Sequence, residues 1–543
     1  MNTPHRPSPF DPDDAATEPA GMRKGLTSYG DQGFSLFLRK AFIKGAGFTD
    51  AALDRPVAGI ADTGSDFNPC HGNAPQLIEA VKRGVMLAGG LPMKFPTLSV
   101  HESFAAPTSM YLRNPMAMDT EEMVRAQPMD AVVLIGGCDK TVPAQLMGAA
   151  SAGVPAIQLI TGSMLTGSHR GEVVGACTDC RRYWARFRAE EIDAQEIAEV
   201  NDQLVASVGT CSVMGTASTM ACIAEALGMT VPGGASPPAV TADRIRIAEL
   251  TGARAVRIAR ERLTIDRILT PAAFENAMRV LLAIGGSTNG IVHLAAIAGR
   301  MGLDIDFEAL DRMGRETPVL LDLKPSGQHY MEDFHKAGGM ATLLRELRPL
   351  LHLDAMTVNG CTLGEQIDAQ PPGFAQDVER TIADPIYPQG GIAVLRGNLA
   401  PGGAIIKQSA ADPKLMEHEG RAVVRGLRLP ARAEDAREDA ALSLPPAVRE
   451  NHPPEAAVRA EGAARTIRDF IHGPSPCAYP PTPPASTPSP PRPSSTTAAS
   501  TRRRSIASPT STSAAAARAS PCSASSARRP SWSTRKAFSW RGR

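Results

Sequence analysis

The 543-residue chain has almost no net charge: 57 Lys and Arg stand against 56 Asp and Glu, leaving +1 with His neutral. That balance exerts no global pull toward nucleic acid or an acidic membrane surface. An apolar core segment is lacking in MNTPHRPSPFDPDDAATEP too, so this stretch is not expected to act as a secretory signal. Apolar runs are cut by Gly, Ser or charge well short of a membrane span. Cysteine is sparse, with nine in the whole chain. Without a leader, such usage is expected of reduced thiols in the cytoplasm. The last part of the chain is poorer still. No leucine follows Leu444, no valine follows Val458 and no acidic residue follows Asp469. A Pro/Ser/Ala/Arg-rich segment of that kind cannot bury a core and is expected to be disordered. Its Arg502–Arg504 cluster therefore reads as a solvated tail rather than a nucleic-acid site.

Over the whole chain, 43% hydrophobic residues suffice for a core, and the length suggests two or more domains. From about Leu53 to Asp384, strand-like runs alternate with helical ones. AVVLIGG (131–137) reads as a buried parallel strand, AQLMGAASAG (144–153) as a helix ending at glycine, and VPAIQLITG as the next strand. This alternation predicts an α/β domain with a parallel sheet. Around Tyr387 the pattern changes to short apolar segments separated by glycine, a β-rich signature.

Three cysteines lie in loops rich in Gly, Asn and Pro: Cys70 in SDFNPCHGN, Cys138 in IGGCDKTVP and Cys211 in VGTCSVMG. Thiolates select iron–sulfur clusters, zinc or copper(I). Three thiolates cannot fill the four protein positions of an ordinary cluster, so one [2Fe–2S] cluster held by all three would keep an open iron. An open metal position is a Lewis acid. Scattered cysteines are more often inert core residues. Cys138 falls where a predicted strand ends, which is where ligands gather in α/β sheets. Cys211 is expected near a helix start, where the dipole would favour a thiolate. Asp139 and Lys140 follow Cys138, and VHESFAAPTSM carries Glu102 upstream. Carboxylates suit a hard cation such as magnesium.

These stretches, with VKRGVMLAGGLP, LLAIGGSTNGIVHLAAIAG and RGNLAPGGAIIKQSA, resemble the dihydroxy-acid and sugar-acid dehydratase family from about Gly25 to Val424. HESF, PTSMYLRN and GACTDCRR are most similar to its sugar-acid branch, whose substrates include L-arabinonate. The resemblance implies a hydro-lyase that converts an aldonate to a 2-keto-3-deoxy acid. The alternative substrate is a branched-chain dihydroxy acid. It implies a [2Fe–2S] cluster on Cys70, Cys138 and Cys211. It also implies Mg2+ on Glu102, Asp139 and a carbamylated Lys140, because a free ammonium cannot ligate a cation. A small-molecule hydroxy-acid substrate and a homo-oligomer are implied as well.

The family's C-terminal domain supplies a further magnesium-binding glutamate and a base serine. Neither a GMPE-like nor an SDxRMSG-like segment occurs here, so no catalytic base is assigned. The break after Val424 suggests a reading-frame change, and a non-catalytic remnant is a second reading. The expected organisation is an arm at 1–24, an α/β domain at 25–384, the start of a smaller, truncated β-rich domain at 385–424 and a tail at 425–543. Among weaker features, Cys177 and Cys180 form a CxxC with no second pair at zinc-ribbon spacing. His71 and His101 read as structural at least as readily as functional. IGGSTNG (284–290) reads equally as a backbone anion site at a helix start or as a turn capped by Ser287 or Thr288.

Overall fold

The computed structural model describes residues 20–26, 30–398 and 400–411. Strands β1 (Val57–Asp62), β2 (Leu91–Pro96), β3 (Ala131–Gly136) and β4 (Ala156–Ile160) form one parallel sheet, in the order β2-β1-β3-β4. Val133 pairs with Ile60 on one side and Ile157 on the other. β3 and β4 are buried at every position. A strand covered on both faces has no solvent side, which is why both read as continuous apolar runs. The polar exception is Gln158 in β4. Its amide donates to the Leu134 carbonyl (2.8 Å) and to Gln145 Oε1 (3.0 Å), so nothing on that nitrogen is left unpaired.

Helices α1 (Gln32–Lys44) and α2 (Asp50–Leu53) precede the sheet. The crossovers are α3 (Ala74–Leu87), α4 (Arg113–Ala126) and α5 (Thr141–Ala152). α5 stops where Gly153 turns left-handed at φ 71°. It begins three residues before the expected start, because the amides of Thr141 and Val142 reach the Cys138 carbonyl (3.0 and 3.5 Å). The first turn of α5 is thus built directly on the cysteine motif.

The β/α alternation ends at β4 rather than continuing to Asp384. A small hairpin follows, β5 (Gly167–His169) and β6 (Glu172–Val174), turned by Arg170 and Gly171, both at positive φ. Then come α6 (Thr178–Arg188), α7 (Ala194–Gln203), α8 (Thr216–Ala226), α9 (Ala242–Glu261), α10 (Pro271–Ala283) and α11 (Asn289–Arg300). α9 packs along α3 at near backbone contact. A Cβ on Gly252 would lie 2.2 Å from the Val81 carbonyl oxygen, and one on Gly84 2.0 Å from that of Glu249.

The expected shift to β structure is present. β7 (Ala393–Gly397) pairs antiparallel with β8 (Ala400–Ile406). The end of the predicted loose arm is anchored instead. Met22 is buried, and the Asp130 carboxylate accepts from the amides of Gly21 (2.9 Å) and Val57 (2.7 Å). The tail from residue 425 lies outside the described residues.

Candidate functional site

The strand order places the topological switch point between β1 and β3, where the carboxyl ends of an open α/β sheet form a ligand crevice. Cys70 lies in the loop after β1 and Cys138 two residues after β3. Cys211 arrives from much later in the chain. Its loop extends the sheet edge beyond β4: Thr210 donates its amide to the Gly162 carbonyl (2.9 Å), and its own carbonyl accepts from Met164 (2.8 Å). All three cysteines therefore meet at one edge. Cys70 and Cys138 are buried. The neighbouring Cys138 thiol, then burial, pushes the Cys70 thiol far up; the nearby Cys211 adds to it.

His71 ties two of these loops together. Its Nε2 accepts the backbone N–H groups of both Gly137 and Cys138, each at 3.0 Å. The proton must therefore sit on Nδ1, which donates to the Thr63 carbonyl at 3.0 Å. Complete burial lowers its pKa to about 4, so the ring is neutral. The structural reading of His71 holds, and its task is to shape the cysteine site. Thr161 adds a second tie through Oγ1 to the Cys70 carbonyl (2.8 Å). Gly137 permits it: a Cβ there would lie 1.7 Å from Thr161 Oγ1.

Glu102, Asp139 and Lys140 form a second group beside the thiols. Lys140 Nζ lies 2.5 Å from Asp139 Oδ2 and 3.8 Å from Glu102 Oε1, and Lys140 is buried. Cys138 Sγ is 3.6 Å from Asp139 Oδ1, so the soft and hard donor sets touch. Burial, then the Asp139 charge, raises the Glu102 pKa. His101 accepts the Ser103 amide at 3.2 Å and caps the turn that carries Glu102. Among the described residues, no three His, Cys, Asp or Glu side chains stand as a ready-made metal cage. The Lys140 ammonium pairs with the carboxylates instead.

One expectation changes. Cys211 precedes α8 by five residues, with Gly215 as the N-cap, so it lies outside the first helical turn where a dipole acts. Its thiol is pushed up rather than down, by contact with Cys177 and then by burial. The CxxC is also split. Cys177 Sγ lies 2.9 Å from Cys211 Sγ, whereas the Cys180 thiol donates to the Cys177 carbonyl (2.7 Å). Sequence spacing could not show this, because Cys177 and Cys211 are 34 positions apart. The IGGSTNG turn leans on α8: Thr219 Oγ1 accepts the Ser287 amide (3.0 Å), and Ser287 Oγ accepts the Asn289 amide (3.3 Å). The turn reading fits, with Ser287 rather than Thr288 supplying the side-chain bond.

A four-stranded parallel sheet with cysteine loops at its switch point and an acid–lysine group beside them defines a class, and sequence comparison gives it a family. The dihydroxy-acid/6-phosphogluconate dehydratase N-terminal pattern matches residues 55–366, and the C-terminal pattern of the same family matches 377–432. The chain belongs to that family and is of dehydratase (hydro-lyase) lineage. It is 46% identical to an L-arabonate dehydratase of Azospirillum brasilense, over 72% of this chain and 67% of the relative. It is 45% identical to an L-arabinonate dehydratase of Rhizobium leguminosarum bv. trifolii, over 73% and 69%. A dihydroxy-acid dehydratase of Caldanaerobacter subterraneus is 40% identical, over 74% and 71%.

Proposed function

We propose that this chain is a sugar-acid hydro-lyase, with L-arabinonate or a similar five- or six-carbon aldonate as substrate and a 2-keto-3-deoxy acid as product. The observation that carries this reading is the contact between the cysteine loops and the Glu102–Asp139–Lys140 group at the switch point. Greater identity to sugar-acid dehydratases (41–46%) than to dihydroxy-acid dehydratases (37–40%) favours the aldonate. Cys70, Cys138 and Cys211 are the residues that would hold a [2Fe–2S] cluster. The fit rests on donor chemistry: clustered thiols in a buried setting suit iron–sulfur ligation. Glu102 and Asp139 would hold Mg2+, their crowded charges being relieved by a cation. Lys140 joins them only as a carbamate, which turns the central cation into an anionic ligand. Bound there, the two metals supply Lewis acidity toward a hydroxyl leaving group and toward the carboxylate end of the acid.

The chain's own residues do the positioning. His71 and Thr161 hold the loops of Cys70 and Cys138 in one arrangement, and His101 sets the turn of Glu102. No residue here is assigned as the base that removes the C2 proton. Loss of a general base costs about 10²- to 10⁴-fold, so this chain is expected to turn over slowly beside a version restored to the other frame after codon 424. A cytoplasmic, homo-oligomeric enzyme acting on a small molecule is the accompanying reading; among the described residues, no helix is long and apolar enough to cross a membrane. Assaying both proteins on aldonates and 2,3-dihydroxyisovalerate tests the substrate. Preference for the branched-chain acid would overturn it. Iron and sulfide analysis tests the ligands, and a Cys70/Cys138/Cys211→Ser triple variant that still carries a full cluster would overturn them.

A further inference from the structure

Cys177 stands outside the ligand set proposed above, yet its sulfur is in contact with one member of it. The Cys177–Cys211 Sγ separation is 2.9 Å. A disulfide closes at about 2.05 Å, whereas two thiolates on one tetrahedral metal stand about 3.8 Å apart when each metal–sulfur bond is about 2.3 Å. The pair therefore stands closer than shared ligation would leave it, about midway to a bond. Both loops are pinned at this contact. The Ala176 amide donates to the Leu204 carbonyl (3.1 Å), and Ser212 Oγ donates to the Ala176 carbonyl (3.0 Å). Behind them, the buried Asp179 carboxylate accepts from the Gly175 amide (3.0 Å) and the Tyr330 hydroxyl (2.7 Å). On the other side, the Met331 amide reaches the Ser212 carbonyl (2.8 Å). Cys177 is exposed, while Cys211 is half-buried.

We propose that Cys177 and Cys211 are a redox couple: in the cluster-free chain a peroxide oxidises them to a disulfide, which removes Cys211 from the ligand set. Cys177, the exposed sulfur, takes the first step. Its thiolate attacks hydrogen peroxide, the O–O bond breaks, and a sulfenic acid forms as hydroxide leaves and is protonated to water. The Cys211 sulfur then attacks the sulfenic sulfur, its thiol proton passing to the departing hydroxide. The S–S bond forms, the S–O bond breaks, and hydroxide departs to become a second water. Two thiols and one peroxide give one disulfide and two waters, with two electrons passing from sulfur to oxygen. The couple stands on its own geometry; only its consequence for cofactor loading rests on the proposed cluster ligands.

The test uses the full chain, stripped of metal, reduced, and treated with equimolar hydrogen peroxide under anaerobic conditions. After alkylation and digestion, mass mapping should show a Cys177–Cys211 crosslink, lower by two hydrogens and reversed by dithiothreitol. A Cys177–Cys180 or Cys70–Cys138 link in its place, or Cys177 alkylated throughout, would overturn the couple. Iron and sulfide are then added to oxidised and reduced samples. The oxidised chain should lose most of the visible cluster absorbance that the reduced chain gains, and Cys177→Ser should load equally with or without prior peroxide. Equal loading by oxidised wild-type chain carrying the crosslink would overturn the gating role. A reduced chain that takes up no cluster would sink the ligand assignment and leave the crosslink result standing.

Discussion

At the scale of single residues, His71 matters through what it accepts rather than any charge it carries. Replacing it with Ala leaves the buried amides of Gly137 and Cys138 without their acceptor. Each orphaned group costs about 1–3 kcal/mol. His71→Ala should therefore lower the denaturation midpoint and reduce the iron retained per chain, both measurable on one preparation; unchanged iron content would mean that the loop needs no such tie. Lys140 makes a different prediction. Its ammonium pairs with two carboxylates, so unmodified protein should bind Mg2+ weakly and bicarbonate should strengthen binding. Lys140→Met should abolish the bicarbonate effect in calorimetric titration. A bicarbonate effect of the same size in that variant would assign it to another group.

Between elements, α3 and α9 are held at close backbone approach. Gly252 and Gly84 each face the other helix's backbone with no room for a methyl group. Gly252→Ala must push the helices apart, and overpacking of this kind costs about 1–3 kcal/mol or more. Chemical denaturation should show the loss. The helix pair also packs against the sheet, so the variant should loosen cluster binding less than it lowers stability, since the clash at Gly252 falls on the Val81 backbone of α3. Equal stability in variant and wild type would show that the pair has slack.

For the whole molecule, buried charge should make stability depend on pH. Glu225 in α8 is fully buried, and its carboxylate accepts the amides of Gly233 (2.7 Å) and Ala235 (2.9 Å). Burial raises its pKa from 4.5 to about 7 despite these bonds and the nearby Arg244. The folded state thus holds this proton more tightly than the unfolded chain does. The associated stability is complete below about pH 4.5 and is lost as pH rises through about 7. The shift corresponds to about 3 kcal/mol at most. Thermal melts across this window should show wild type losing ground to Glu225→Gln as pH rises, although the variant begins less stable because its amide nitrogen cannot accept a hydrogen bond. Parallel pH profiles for the two proteins would assign the titration elsewhere.

Local pattern determined much of this protein. A short run rich in β-branched residues such as AVVLIG suits a strand covered on both faces, and β3 takes it. The glycine after AQLMGAASA stops α5 because only glycine turns left-handed there without strain. Cys138, Asp139 and Lys140 are neighbours in the chain, so their grouping was legible, and family resemblance extended it to Cys70, Cys211 and Glu102. The extent of the alternation was not legible, because apolar runs after β4 suit buried helices as well as strands. Nor was the dipole at Cys211, which depends on where α8 begins. Tertiary structure alone decided which sulfurs touch. Cys177 lies three positions from Cys180 but meets Cys211, because the segments at 176 and 212 hydrogen-bond to each other. It also decided that His71 ties the cysteine loops together, since only the folded crevice brings two amides from the far side of the switch point onto one ring nitrogen.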